Sequence, residues 1–380
     1  MKITRLELTN WLNFKKVDVE LGERVFIFGA NAAGKSNFLD VFRFLRAVAE
    51  EGGGLQSAVK DRGSFSTIRT LHATGRNQDV CIDLGCRDAA GVDWRYRLLL
   101  EASDDHSALV KEELVTRSDQ PAPVLSRPDD ADRADPPRRR QTHLEQVNSN
   151  AHFRELAELF RSIRYVHLVP QLLRDPERYI RFTDDPYGAD FLGGIAQTPK
   201  KQRDARLGRI QKALKRALPQ FEELRFAQDE KGRPHLEAKY LHWRKKGAWQ
   251  NETQFSDGTI RLIGLLWELS GPGGPLLLEE PEMSLHAAVV RQLPRVFARV
   301  MSKHGRQVLC STHSEQLFDD GGIDPSDVLV LEATKNETTI TQATKIPQVK
   351  ALASAGAPYG EVLVARTRPE GIEQLSMFGG

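Results

Sequence analysis

One short run of residues has the types and spacing needed to hold phosphate groups. Residues 29–36, Gly-Ala-Asn-Ala-Ala-Gly-Lys-Ser, fit the pattern GxxxxGK[ST] without a mismatch. Small residues let backbone N–H groups wrap around phosphates, and a helix N-terminus adds a favourable field for an anion. We expect Lys35 to reach the β- and γ-phosphates of a nucleotide and Ser36 to ligate Mg²⁺. The predicted nucleotide-binding residues of this segment are Gly29, Asn31, Ala32, Ala33, Gly34, Lys35, Ser36 and Asn37.

A pair of carboxylates follows an apolar run further along the chain. Leu276, Leu277 and Leu278 precede Glu279 and Glu280. In a parallel sheet the carboxyl ends of strands line the ligand crevice. Glu279 is then a candidate Mg²⁺ ligand, direct or through water, and Glu280 a candidate base that orients or deprotonates water. Alternatively, the carboxylates lie in the acidic N-cap region of a helix.

Two further polar segments have both a structural and a functional interpretation. Ser256, Asp257 and Gly258 precede an apolar helical pattern, so they predict a helix cap. The same small-residue helix start is also a candidate γ-phosphate site. His313 follows the apolar run Val308–Cys310, where it is either a structural histidine or a sensor of the γ-phosphate.

The flanking patterns predict the elements that would position these residues. The run Val25–Phe28 is apolar on both faces, as in a central parallel strand, and a helical pattern begins after Ser36. An α/β rhythm returns in the last third, with helices over about 258–270 and 284–302 and a closing strand pair near 328–341. We predict an N-terminal lobe (1–100), an insertion (101–250), a C-terminal lobe (251–345) and a tail (346–380).

Within the predicted insertion, composition separates two segments. Residues 117–142 are rich in Pro, Asp and Arg and predict a disordered or mobile loop. Residues 200–218 predict a strongly basic helix.

Composition narrows the classes of protein. The chain has 380 residues and a formal net charge of +2, so a nucleic acid would meet a local basic patch. Its three cysteines are scattered, which favours reduced thiols over disulfides or zinc. No segment approaches the ~20 apolar residues that span a bilayer, and the start lacks a signal-peptide pattern. We therefore expect a cytoplasmic protein without a membrane partner.

Taken together, the motifs resemble the ABC-type ATPases of the SMC, RecF and OLD branch. The resemblance uses the P-loop (residues 29–36), the Ser256–Thr259 signature, the segment Leu276–Glu282 with Ser284-Leu285-His286 after it, and residues 311–314, Ser-Thr-His-Ser. Asn13-Phe14-Lys15 near the start completes it, and the motifs occur in the family order. The implied fold is an α/β P-loop NTPase with an ABC-type, SMC/RecF-like head, a mixed central sheet flanked by helices and an inserted α+β subdomain.

The resemblance also implies an active site shared by two copies. Two ATP molecules would be held between the P-loop of one head and residues Ser256–Gly258 of the other, in a dimer or a higher even oligomer. Glu280 would be the catalytic base and His313 the switch residue, with Lys35 as a further catalytic residue. Lys15 is expected near the nucleotide, and Gln171 is a candidate Q-loop glutamine near the metal.

Departures from the family pattern shape the functional hypotheses. Glu279 stands where an Asp is commoner, and the signature lacks the LSGGQ form of transporters. No long coiled coil is visible, and about 65 residues after His313 are too few for a TOPRIM nuclease domain. We expect a stand-alone ATP-binding head that controls a separately encoded nuclease or toxin in anti-phage defence.

The alternative is a RecF-like, DNA-binding ATPase of DNA repair or maintenance. Its basis is a set of basic residues: Arg203, Arg206, Arg209, Lys212, Lys215, Arg216, Arg244, Lys245 and Lys246, beside Trp243 and Trp249. A solvated helix face and strand edge would also explain these charges. The last ten residues, 371–380, are either a frayed end or a docking peptide.

Overall fold

The computed structural model describes residues 1–73, 78–103, 105, 107–175, 185–241, 248–319, 322–334, 337–369, 372 and 374. Two compact units are present, each with its own core. The first unit contains residues 1–163 and 307–380, and the second contains residues 164–306. The predicted insertion, 101–250, thus contributes to both units.

The N-terminal segment of the first unit forms an antiparallel sheet and the strand that leads into the P-loop. The sheet has the order β2-β1-β4-β5-β6-β7, and β3 belongs to a second sheet. The strands are β1 (Lys2–Trp11), β2 (Phe14–Glu20), β3 (Arg24–Gly29), β4 (Val80–Arg87), β5 (Asp93–Ala102), β6 (Ala108–Arg117) and β7 (Leu125–Arg127).

Helix α1 packs its apolar face in the core of this unit. Phe38 contacts the rings of Phe14 and Phe42, and Trp11 meets Phe44 edge to face. These aromatic side chains are fully buried, which accounts for the helical period predicted after Ser36. The helices of this segment are α1 (Lys35–Ala49), α2 (Leu55–Lys60), α3 (Phe65–Ile68), α4 (Asp130–Ala134) and α5 (Arg154–Arg161).

The second unit combines a pair of parallel strands with a separate antiparallel sheet. Strand β12 pairs in parallel with β8, and β10 lies between β9 and β11. The strands are β8 (Arg164–Val166), β9 (Phe221–Gln228), β10 (Pro234–Tyr240), β11 (Ala248–Asn251) and β12 (Leu276–Glu279). The helices are α6 (Pro170–Leu173), α7 (Phe191–Gln197), α8 (Lys200–Ala217), α9 (Asp257–Ser270), α10 (Ala287–Val290) and α11 (Leu293–His304).

The single helix predicted over 284–302 is wrong, because the chain forms α10 and α11 instead. Pro294 stands in the first turn of α11. Proline has no N–H to donate to the carbonyl four residues earlier, so α10 cannot continue through this position.

The C-terminal segment returns to the first unit and completes its second sheet around β3. Strands β13 (Val308–Thr312) and β14 (Val328–Ala333) both pair with β3 in parallel, and β15 (Thr338–Gln342) pairs antiparallel with β14. The predicted closing strand pair is therefore confirmed. Helices α12 (Pro347–Ser354) and α13 (Gly360–Thr367) follow.

A buried glutamine ties this returning segment to the N-terminal strands. The Gln307 amide accepts from the backbone N–H of Ile3 and donates to the carbonyls of Ile3 and Gly22, at 3.0, 2.7 and 2.7 Å. Its side chain thus replaces the ladder hydrogen bonds that a neighbouring strand would supply.

The segment 117–142 is ordered, so the prediction of a disordered or mobile loop is wrong. It contains β7 and α4, and Arg127 is buried between two carboxylates. Arg127 donates to Glu113 at 2.9 Å and to both oxygens of Asp132 at 2.7 and 2.8 Å. These bonds hold the pKa of Asp132 well below its usual range. The polar side chains of this segment therefore take part in a buried ion network, which a count of apolar residues cannot predict.

The three cysteines are buried. Burial raises the pKa of Cys81 to about 11 and that of Cys86 to about 12, so both are thiols at neutral pH.

We expect Arg127→Ala to destabilise the fold by about 3–5 kcal/mol, because it leaves two buried carboxylates without their cation. Denaturant unfolding of the full chain measures this loss. Arg133→Ala is the matched control, since Arg133 lies in the same segment with its side chain 67% exposed. A free energy of unfolding for Arg127→Ala within 1 kcal/mol of the unmodified chain would contradict the network's role.

Candidate functional site

The P-loop joins the carboxyl end of β3 to the start of α1. Its lysine folds back over the loop, with Lys35 Nζ 3.0 Å from the carbonyl oxygen of Gly29 and 3.0 Å from that of Ala30. Lys35 is buried, 6% exposed. The ammonium group is therefore fixed at the loop, as phosphate binding by this motif needs.

Backbone geometry explains the second glycine of the motif. Gly34 has φ +94°, and a Cβ at this position would lie 2.1 Å from Asn13 Nδ2. Ala32 also has a positive φ, +62°. The loop therefore curls tightly, and only glycine fits at position 34.

Helix α1 begins in a way that suits an anion. Among the described residues, no side chain caps its N-terminus, and Gly34 occupies the N-cap position. First-turn N–H groups and the helix dipole together favour phosphate at such an end. Because no side chain in the described part of the chain caps these N–H groups, the P-loop and the start of α1 suit the triphosphate of a nucleotide.

A network of polar side chains supports the loop from behind. Asn13 donates to the Thr338 hydroxyl at 2.6 Å and accepts from Asn37 at 2.8 Å. Thr338 in turn donates to the carbonyl of Ala33 at 3.1 Å. The turn between β1 and β2, the first turn of α1 and the start of β15 are thereby joined to the P-loop.

The other predicted residues of this motif differ in exposure. Asn31, Ala32 and Ser36 are exposed, whereas Ala33 is buried. Lys15 is half-buried on β2, two residues after Asn13. Its contact with a nucleotide stays a prediction.

His313 lies at the same sheet edge as the P-loop. Thr312 is the register partner of Phe28 in the parallel pair β13–β3, so His313 directly follows the strand beside the one that ends at Gly29. His313 is exposed. Both interpretations of His313, as a structural histidine and as a sensor of the γ-phosphate, stay predictions.

In the second unit, Glu279 ends β12 and is held by a neighbouring strand. Leu277 is the register partner of Tyr165 on β8, and the Tyr165 hydroxyl donates to Glu279 Oε2. His167 Nδ1 lies 3.8 Å from the same oxygen. The Glu279 side chain is 12% exposed.

Glu280 stands in a turn rather than in a helix. Its φ is +43°, a left-handed conformation that is rare outside glycine, and Met283 N donates to its carbonyl at 3.2 Å. The next helix, α10, begins only at Ala287. The N-cap of that helix is His286, so the alternative that these carboxylates lie in a helix N-cap region is wrong. Strained backbone of this kind concentrates at functional sites.

The signature residues begin α9, as one of the two interpretations predicts. Ser256 is the N-cap, and its Oγ accepts from the N–H of Thr259 at 3.2 Å. Arg174 donates to Asp257 Oδ1 at 2.6 Å. A Cβ on Gly258 would lie 2.4 Å from the carbonyl oxygen of Ser284, so glycine is required there. The signature therefore contacts the turn after Glu280 directly, while its contact with a phosphate stays a prediction.

Three residues near these carboxylates, Tyr165, His167 and Arg261, are not singled out by the sequence alone. Burial lowers the pKa of His167, and the nearby Arg261 cation acts in the same direction. Burial also lowers the pKa of Arg261, against the opposing effect of Asp257, Glu282 and Glu280. Tyr165 and His167 are two residues apart at the end of one strand, so they share a sheet face, and this spacing is the sequence signal that could have placed both beside Glu279.

Gln171 lies exposed in the short helix α6, which follows β8. Because β8 is parallel to β12, the chain after β8 leaves from the same edge as Glu279. A role for Gln171 near the metal stays a prediction.

The oxygen donors suit Mg²⁺ rather than a softer metal. Serine hydroxyl and carboxylate oxygens are hard ligands, and Mg²⁺ takes one or two of them beside phosphates and water. Within the described ranges, no group of three or more His, Cys, Asp and Glu residues forms a cage for a metal ion. In those ranges, no helix is both long enough and apolar enough to cross a bilayer.

We expect Gly34→Ala to weaken the binding of a fluorescent ATP analogue by at least about tenfold. The added methyl group would meet Asn13 and push the loop out of shape. Gly52→Ala is the matched control, because Gly52 has φ +80° but nothing within 4 Å of the added Cβ. Equal affinities for the two variants would show that the close approach to Asn13 does not shape the site.

Comparison with known proteins identifies a relative by sequence and solved structures with a similar fold. Endonuclease GajA of Bacillus cereus (strain VD045) is 30% identical over 115 residues, 28% of this chain and 20% of that protein. The chain therefore spans about a fifth of the length of this curated relative. A crystal structure of the SMC head bound to the C-winged helix domain of ScpA superposes with a TM-score of 0.55 at 16% identity. It covers 90% of this chain and 97% of that one, which shows an SMC head-like fold.

The sequence profile of one family covers more than three quarters of the chain. It is described as "AAA domain, putative AbiEii toxin, Type IV TA system", and it matches residues 24–319. The matched range includes the P-loop, the signature, Glu279, Glu280 and His313. The chain belongs to this family of AAA domains, with the P-loop and carboxylate pair of an ABC-type, SMC/RecF/OLD-like ATPase head.

Proposed function

We propose that the chain hydrolyses ATP and acts as a dimeric switch that controls a separately encoded effector. The observation that carries hydrolysis is the contrast between two adjacent carboxylates. Glu279 is held by Tyr165 at the end of β12, whereas Glu280 projects from a left-handed turn. Neighbouring carboxylates in different surroundings can take different roles, one toward the metal and one toward water.

Each residue has a defined task in this proposal. Lys35 and the loop amides bind and orient the β- and γ-phosphates, and Ser36 and Glu279 hold Mg²⁺. The ion neutralises charge that develops on the phosphates. Glu280 orients the attacking water and accepts its proton, and His313 senses the γ-phosphate.

The signature supports the proposed dimer. In the resemblance, residues Ser256–Gly258 of one copy meet the nucleotide on the other. The start of α9 supports this role, because a helix N-terminus favours an anion and Gly258 brings the backbone close to the turn after Glu280. Binding of ATP would then be read out as association of two heads.

The effector is proposed to be a nuclease or toxin in anti-phage defence. The family is described as a putative toxin of a Type IV TA system, and the relative from Bacillus cereus carries the name endonuclease. Both descriptions support a defence system in which this chain works with a separately encoded effector. The relative shares only about a fifth of its length with the chain.

The alternative, a DNA-binding ATPase, has one favourable observation. Exposed cations recur every four residues along α11 and its preceding turn, at Arg291, Arg295, Arg299 and Lys303. Burial lowers the pKa of His304, and the nearby cations Lys303 and Arg209 act in the same direction, so basic side chains of α8 and α11 both lie near this histidine. Such a surface would attract a polyanion.

Not every basic residue proposed for DNA is available on that surface. Arg206 stacks on Trp267, 3.6 Å from the ring centroid, and donates to the Trp267 carbonyl at 2.6 Å. Arg203 lies 4.0 Å from the ring centroid of Phe226. Both therefore have structural contacts, while Arg209, Lys212, Lys215 and Arg216 are exposed. Trp243, Arg244, Lys245 and Lys246 lie outside the described residues, as does most of the tail from Gly371 to Gly380.

We expect Glu280→Gln to lower the ATPase rate by about 10²–10⁴-fold, because the water loses its base, while nucleotide still binds. Light scattering should then show an ATP-dependent doubling of mass that Lys35→Ala abolishes. Glu223→Gln, an exposed carboxylate on β9, is the matched control and should behave as the unmodified chain. An unchanged ATPase rate in Glu280→Gln would remove Glu280 as the base, and a constant mass would remove the ATP-dependent dimer.

The trapped variant also separates the two candidate functions. Purified from its native host with ATP and Mg²⁺, it can be examined by mass spectrometry and nucleic-acid staining. A stoichiometric nuclease or toxin would support the switch, whereas DNA without a protein partner would support the repair function.

A further inference from the structure

The carboxylate that ends β12 belongs to a longer side chain than the aspartate that is commoner in this position. Glutamate has one more rotatable bond than aspartate, so its carboxylate can take more orientations and is less well fixed at a metal. Unless that freedom is restrained, part of it must be lost whenever the metal binds. The chain therefore needs a feature that limits the orientations of Glu279.

Strand β8 supplies such a restraint. In the parallel register Leu277 lies opposite Tyr165, so Glu279, two residues on, shares a sheet face with Tyr165 and His167. The Tyr165 hydroxyl donates to Glu279 Oε2, and a hydrogen bond to a charged carboxylate is among the stronger ones in proteins. Tyr165 itself is only 8% exposed, so packing restricts its own movement.

We propose that Tyr165 is a positioning residue that orients Glu279 for Mg²⁺ and thereby offsets the extra length of glutamate at this position. His167, with Nδ1 3.8 Å from the same Oε2, borders the carboxylate on the same face. This inference rests on the proposed role of Glu279 as a metal ligand. It adds the residue that restricts the orientation of the glutamate carboxylate there.

A second tyrosine–glutamate pair in the chain shows what a purely structural version looks like. Tyr96 donates to Glu113 Oε1 at 3.1 Å, and the Glu113 side chain is 0% exposed. Glu113 also accepts from Arg127 and from the N–H groups of His143 and Leu144. Its carboxylate is saturated by protein donors. Glu279, in contrast, keeps part of its side chain at the surface, at the strand end where ligands bind in this class of sheet.

The test is the Mg²⁺ dependence of nucleotide binding by the full chain. A fluorescent, slowly hydrolysed ATP analogue is titrated with Mg²⁺, and the half-saturating Mg²⁺ concentration is measured for Tyr165→Phe. We expect it to rise about tenfold, the effect typical of removing a hydrogen bond to a metal ligand. Tyr96→Phe removes the same hydroxyl from the structural pair, so it should lower the melting temperature and leave the Mg²⁺ requirement unchanged.

A double-mutant cycle tests the link to side-chain length. In a Glu279→Asp background the shorter carboxylate no longer needs the tyrosine, so adding Tyr165→Phe should change the half-saturating Mg²⁺ concentration less than twofold. An equal tenfold rise in both backgrounds would contradict the proposal that Tyr165 compensates for the extra length of Glu279. No rise in either background would overturn the positioning role altogether.

Glu279→Gln distinguishes failure of this inference from failure of the proposed function. If Glu279→Gln raises the half-saturating Mg²⁺ concentration and Tyr165→Phe does not, only the role of Tyr165 is wrong. If neither substitution changes the half-saturating Mg²⁺ concentration, Glu279 is not a metal ligand. Melting temperatures of all variants identify any loss that comes from unfolding.

Discussion

The P-loop depends on one close approach, that of the Gly34 backbone to the side chain of Asn13. A phosphate cradle made of N–H groups must keep its own side chains out of the way, and the absence of a Cβ at Gly34 leaves room for the asparagine amide behind it. Asn13 then joins Asn37 and Thr338 in one network. The fold around the loop can be understood as the set of elements needed to bring these three side chains together.

Three carboxylates of this chain have different surroundings, and we propose a different role for each. Glu113 is buried and saturated by donors, so it stabilises the fold. Glu279 accepts a hydrogen bond from Tyr165 and is partly exposed, and Glu280 stands in a strained turn. A carboxylate in a sequence therefore carries little information until its neighbours on adjacent strands are known.

Around the P-loop and the signature, local sequence signals predict the structure correctly, whereas contacts between distant residues cannot be predicted from them. The strand, glycine-rich turn and helix around Lys35 follow from residues adjacent in the chain, as does the cap at Ser256. The contact between Tyr165 and Glu279 spans more than a hundred residues and depends on strand register, which local periodicity does not encode. Likewise, the composition of 117–142 resembles disorder because it says nothing of Arg127 meeting Glu113 on another strand.

The placement of β3 also has a consequence for synthesis on the ribosome. Both of its partners, β13 and β14, lie about 280 or more residues further along the chain. At roughly 5–20 residues per second, translation leaves this apolar strand without its neighbours for about 15–60 s. The aromatic and β-branched side chains of β3 lack these partners during that interval, so the strand that leads into the P-loop is exposed to association with other nascent chains.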